Sequence, residues 1–205
     1  MKSVYSLVLS DDVVEKVDEL AFKAGVSRSQ FINDVLASRV GVDTERKVLQ
    51  DIFDEVSGYV DGFSDMRVQR RQQSAFDFLS ALNYKYSPRV TYSVDLFGGS
   101  TLTGELKIAL RTTNPILISI TENFFNDFID VEKRFGHGGE YSVRDGKLIR
   151  KLDFSNLKGK SVSAAITDYV RSLDDLFNLY VECFGDGEKV VLFEKYQKVK
   201  DKMNI

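Results

Sequence analysis

The chain of 205 residues holds one cysteine, one histidine, two prolines and no tryptophan. A lone Cys183 cannot form an internal disulfide, which suits a reducing compartment. One histidine and one cysteine supply too few soft ligands for a structural zinc site or a nickel sensor. Serine-histidine or cysteine-histidine catalysis would have to recruit His137, which sits in the glycine loop 136–139 and is expected to be exposed. Cys183 ends an apolar helix stripe and reads as a packed small residue rather than a nucleophile. The glycine loops at 98–99 and 136–139 lack the strand-to-helix context and the Lys-Ser/Thr of a phosphate loop. The acidic pairs Asp174-Asp175 and Asp127/Asp130 read as solvated helix faces. No apolar run approaches the ~20 residues of a membrane span. Met1-Lys2-Ser3 leads straight into an alternating segment, without the apolar core of a signal peptide. The expectation is a cytoplasmic protein that is not an enzyme, needs no cofactor or metal and does not enter a membrane.

What is present is an ordinary globular composition, 43% apolar and 29% charged, with 15 phenylalanines and nine tyrosines available for the core. Lys2–Leu9 alternates as a short strand. Ser10-Asp11-Asp12 opens a helix whose apolar positions Val13, Val14, Val17, Leu20, Ala21 and Ala24 form one stripe of period 3.6. Gly25 stands where a left-handed helix stop is needed. Ser27-Arg28-Ser29-Gln30 has the form of a capping box, with Val26 and Phe31 placed as a hydrophobic staple. The second helix is expected to bury Phe31, Ile32, Val35 and Leu36. One strand and two helices cannot close a core alone; two copies can, with the strands paired antiparallel about a two-fold axis.

This order, strand then Leu9-Ser10-Asp11-Asp12 then Gly25-Val26-Ser27-Arg28-Ser29, resembles the ribbon-helix-helix superfamily of DNA-binding proteins, the Arc and MetJ type. The resemblance covers about the first fifth of the chain. It implies an intertwined β-α-α homodimer that places its ribbon in the major groove of double-stranded DNA. Tyr5, Leu7 and Leu9 then point inward, and Lys2, Val4, Ser6 and Val8 face the bases. Valine can touch a thymine methyl but offers no hydrogen bond to a base edge. Ser27, Arg28 and Ser29, at the start of the second helix, would clamp phosphate; on a helix outside this frame Ser27 only caps and Arg28 is solvated. Charge runs against strong DNA binding: the net charge is −3, and the first 43 residues carry more acids than bases. A protein-interaction module, an antitoxin-like or accessory dimer with a protein partner, is the competing expectation.

The whole is expected to be α+β, with a ribbon-helix-helix domain at 1–42, a helical connector at 43–86 and an α+β domain at 87–205. The connector has the stripe Val48, Leu49, Ile52, Phe53, Val56, Tyr59 and Val60, then a basic cluster Arg67, Arg70 and Arg71 that reads as a solvated face or a DNA-grazing patch. Arg89–Phe97 and Thr101–Arg111 make one hairpin; Glu140–Val143 and Lys147–Phe154, joined at Asp145-Gly146, make another. Ile116–Ile120 reads as a buried strand, with Thr121 capping a helix Glu122–Phe135. Ser161–Phe184 and a basic tail Glu188–Met203 complete the long helices. By its size, the C-terminal domain would oligomerise the protein, sense a signal or dock a partner.

Overall fold

The computed structural model describes residues 4–98, 101–137 and 139–205. The chain forms two compact units, Met1–Val48 and Leu49–Ile205. The α+β class holds.

In the first unit, α1 (Asp11–Lys23) carries Asp11 and Asp12 in its first turn and Lys23 in its last, each with the favourable sign for the helix dipole. It stops at Gly25, φ 65°, a conformation that a side chain would oppose. In α2 (Arg28–Val40) the Ser27 Oγ accepts from the Gln30 N–H at 3.2 Å, and Gly41 ends the helix at φ 73°. The capping box is half made, because the Gln30 side chain turns to Asp34 instead, at 2.7 Å. The expected strand is not a strand: residues 4–10 carry no ladder, and the described unit begins with helices. A ladder requires a second strand, and a single copy has none to offer here. Ala21 is the unit's one described buried apolar residue; Val35 and Leu36, expected inside, are at least half exposed.

The second unit is built on a six-stranded antiparallel sheet, ordered β1-β2-β3-β4-β6-β5, from β1 (Met66–Gln72), β2 (Ala75–Ala81), β3 (Arg89–Phe97), β4 (Thr103–Leu110), β5 (Tyr141–Arg144) and β6 (Lys147–Asp153). Both expected hairpins are present, the turn of the first, at 98–99, falling partly outside the described residues. One row of side chains crosses all six strands: Val68, Phe78, Tyr92, Ile108, Leu148 and Val143. The next row reads Arg70, Phe76, Val94, Leu106, Arg150 and Tyr141. The buried members of these rows share a core with α3 (Glu45–Val60), α4 (Pro115–Arg134), α5 (Val162–Glu182) and α6 (Glu188–Val199), the last followed by a short turn of 3-10 helix at Lys200–Lys202. Phe124 of α4 stacks on Phe177 of α5, centroids 4.5 Å apart, locking the two helices together.

Two segments differ from expectation. Residues 66–81, placed in a helical connector, form the β1–β2 hairpin. Its pattern hides because β2 is buried on both faces and so shows no alternation, while β1 is an edge strand whose arginines find partners in the fold. Arg71 reaches Asp77 at 2.6 Å and Asp95 at 2.9 Å, and Arg70 lies 4.5 Å over the Phe53 ring. Residues 116–120 are helix, not strand. Asn114 caps α4 by accepting from the Ile116 and Leu117 N–H groups at 3.0 and 3.4 Å, and Pro115 takes the first turn. Thr121 caps nothing; its hydroxyl donates back to the Leu117 carbonyl at 2.7 Å.

Candidate functional site

In the first unit the residues of interest lie on the 4–9 segment and at the start of α2. Lys2 lies outside the described residues. Val4, Ser6 and Val8 are exposed, the two valines completely. The alternate set is less so, and increasingly covered toward α1: Tyr5 is 83% exposed, Leu7 59% and Leu9 40%. Ser27, Arg28 and Ser29 are exposed together at the N-terminus of α2. Ser27 is engaged as the cap. Arg28 is engaged as well, through Nε and Nη2, with the Asp18 carboxylate of α1. An ion pair this exposed is readily exchanged.

The second unit has its own polar centre, which pattern reading missed. Glu132 of α4 and Arg150 of β6 are both buried, with Nε 3.0 Å from Oε2. Three tyrosine hydroxyls converge on the same carboxylate. Tyr169 and Tyr196 donate to Oε1 at 2.9 and 3.1 Å, and Tyr141 donates to Oε2. The Arg150 guanidinium lies 4.6 Å over the Tyr169 ring. Tyr196 has one proton; given to the carboxylate, it leaves the phenolic oxygen to accept from His137 Nδ1–H at 2.8 Å. His137 is thus half-buried and held rather than exposed, and burial pushes its pKa down. Burial also pushes the tyrosines up, Tyr141 to about 12, so they act as neutral donors. A sealed carboxylate with this many donors holds α4, α5, α6 and β6 together. The signals were in the chain: Leu148, Arg150 and Leu152 alternate on one face of β6, and Glu132 falls four residues after Phe128 on the α4 stripe.

Asp174 also departs from the solvated reading. It is buried on α5, where its carboxylate accepts from the Tyr92 and Ser80 hydroxyls at 2.8 and 3.0 Å. Burial pushes its pKa up to about 6, against the pull of those two donors. The folded state therefore keeps a proton that an unfolded carboxyl releases at its ordinary value of 3.8. This group's contribution is fully present below that value, falls as pH rises to about 6, and leaves the native state about 3 kcal/mol less stable above it. Asp174→Asn is expected to flatten this fall and to stabilise the protein at pH 8, with little change at pH 4, as read by urea midpoints. An unaltered pH profile would refute the assignment.

Asp127 is likewise engaged, accepting from the Tyr180 hydroxyl at 2.8 Å and pairing with Lys189 at 2.5 Å, whereas Asp130 and Asp175 stay exposed. Among the described residues no group of three His, Cys, Asp or Glu is placed to hold a metal ion, and no helix is long and apolar enough to cross a membrane.

No protein-family model, curated protein or solved structure matches the chain. Function therefore rests on these residues themselves.

Proposed function

We propose that the protein is a homodimeric DNA-binding regulator of the ribbon-helix-helix kind. In the dimer, segments 4–9 of two copies pair antiparallel into a ribbon that enters the major groove, and the second unit assembles the protein further or receives a signal. One observation carries this reading: the first unit has its two helices in the expected places but almost no interior of its own. A segment of this size with its aliphatic side chains left in water does not hold its fold alone. A second copy covers Val35, Leu36 and the Tyr5-Leu7-Leu9 face and supplies the missing ladder.

For DNA contact, Val4, Ser6 and Val8 stand on the outer ribbon face with Lys2 beside them. The first-turn N–H groups of α2, with Ser27, Arg28 and Ser29, meet a phosphate. The Asp18–Arg28 pair opposes this modestly, since phosphate competes with Asp18 for the same guanidinium. Two substitutions separate the effects. Arg28→Ala is expected to weaken binding several-fold across all sequences and to lower the salt slope by about one. Asp18→Asn is expected to strengthen it. Gel retardation of fragments flanking the protein's own coding region, with salt varied, measures both. If the folded dimer retards no DNA at low salt, the reading fails. The exposed valines at 4 and 8 then favour the alternative, a ribbon face that binds a protein partner.

A further inference from the structure

A cavity of about 580 Å³ opens in the second unit between the β2–β3 loop and the junction of β4 with α4. Its size is that of small-molecule sites, about 300–1,000 Å³. Lys85 and Arg111 line it, together with Tyr84, Tyr86 and Asn114 over a floor of Leu117, and no carboxylate lines it. In a chain with 31 acids and 28 bases, that is a local excess of positive charge. Some cations of this unit are paired, Arg71 with Asp77 and Asp95, Arg171 with Asp65, Lys189 with Asp127. Among the described residues neither Lys85 nor Arg111 has an ion-pair partner; Lys85 Nζ rests only on the Tyr86 ring, 5.1 Å from its centroid. Two cations lining one cleft without a counter-charge favour an anion there.

The other side chains decide what sort of anion. The N–H groups of Ile116 and Leu117 at the α4 start are occupied by the Asn114 side chain, so the charge must be met by Lys85 and Arg111 rather than by the helix end. Tyr86 is 89% exposed, a flat ring left in water at the cavity mouth. It is held there by an unusual backbone: Tyr86 and Ser87 have φ 67° and 43°, conformations that L residues rarely adopt and that persist only when the surroundings impose them. Tyr84, half-buried, supplies a second ring from the same loop. We propose that this cavity binds a small phosphomonoester with a planar ring, of nucleoside-monophosphate size. Arg111 and Lys85 take the phosphate, Tyr86 and Tyr84 face the ring, and the Asn114 amide donates to a polar edge. A guanidinium forks onto phosphate oxygens, and aromatic faces accept any flat ring.

The test uses the full-length protein without DNA, so its outcome is independent of the proposed DNA binding. Calorimetric titrations use adenosine monophosphate, phenyl phosphate, adenosine and inorganic phosphate. The two ringed phosphates are expected to bind, with adenosine and inorganic phosphate each about tenfold weaker or more. Arg111→Gln and Lys85→Gln should each weaken the ringed phosphates by about tenfold. Tyr86→Ala should weaken them while leaving inorganic phosphate unchanged. All three side chains are exposed, and matched thermal melts establish that the variants are folded. Failure of both ringed phosphates to bind, or binding indifferent to Arg111→Gln and Lys85→Gln, would overturn the proposal.

Discussion

Arg150→Met is expected to lower the unfolding free energy by about 3–5 kcal/mol, the range for removing one partner of a buried ion pair. The methionine fills much of the space, so the loss comes from the Glu132 carboxylate left in the core without its counter-charge. Three hydroxyls still face that carboxylate, and their donation moderates the penalty. The reverse substitution, Glu132→Gln, orphans a guanidinium that cannot shed its proton, so Arg150 stays charged in the core and a loss of similar size is expected. The double variant should be more stable than the sum of the single losses predicts. Urea unfolding of the four proteins measures all of this. Losses below about 1 kcal/mol in both single variants, or simple additivity, would remove the pair from its central place.

The second large effect is expected at Leu36. In a single chain this side chain is 52% exposed, and replacing it should then be nearly neutral. In the dimer proposed here it is interior. Losing a leucine's burial forfeits about 2 kcal/mol per copy. Symmetry doubles that to about 4 kcal/mol, which raises the dissociation constant roughly a thousandfold. Leu36→Glu should therefore run as a monomer in light-scattering chromatography and lose N-terminal helicity, whereas Asn33→Glu, on an exposed position of the same helix, should do neither. A wild-type monomer with stable N-terminal helices would sink the dimer, and so would an unaffected Leu36→Glu dimer. DNA binding should fall with dimerisation, because one ribbon strand has no partner to present it.

Elements governed by local chemistry were legible in the chain itself. The stop at Gly25, the Ser27 cap, the 89–97 and 141–153 strands and the helix Val162–Glu182 all follow from turn residues and from a period visible over many residues. Residues 116–120 misled because a short apolar run has no period of its own; the Asn-Pro signal just ahead of it was the better guide. The 66–81 hairpin was hidden by arginines that read as solvated until Phe53, Asp77 and Asp95 appear opposite them. Likewise the ring lining at Tyr84 and Tyr86 gains a meaning only when Arg111, distant in sequence, closes the same cavity.

By itself, then, the sequence determined the α+β class, the ends of several helices, two hairpins and an N-terminal pair of helices. Tertiary structure alone decided which charges are inside. Glu132, Arg150 and Asp174 sit at apolar-stripe positions, where a charged residue reads as an interruption of the stripe. Whether such a residue turns out to water or stays in the core depends on whether donors and acceptors from other strands and helices arrive to satisfy it. Here they come from residues far along the chain: Tyr169 and Tyr196 for Glu132, Tyr92 and Ser80 for Asp174. No local pattern encodes that meeting, because it is made by the packing of the sheet against its helices.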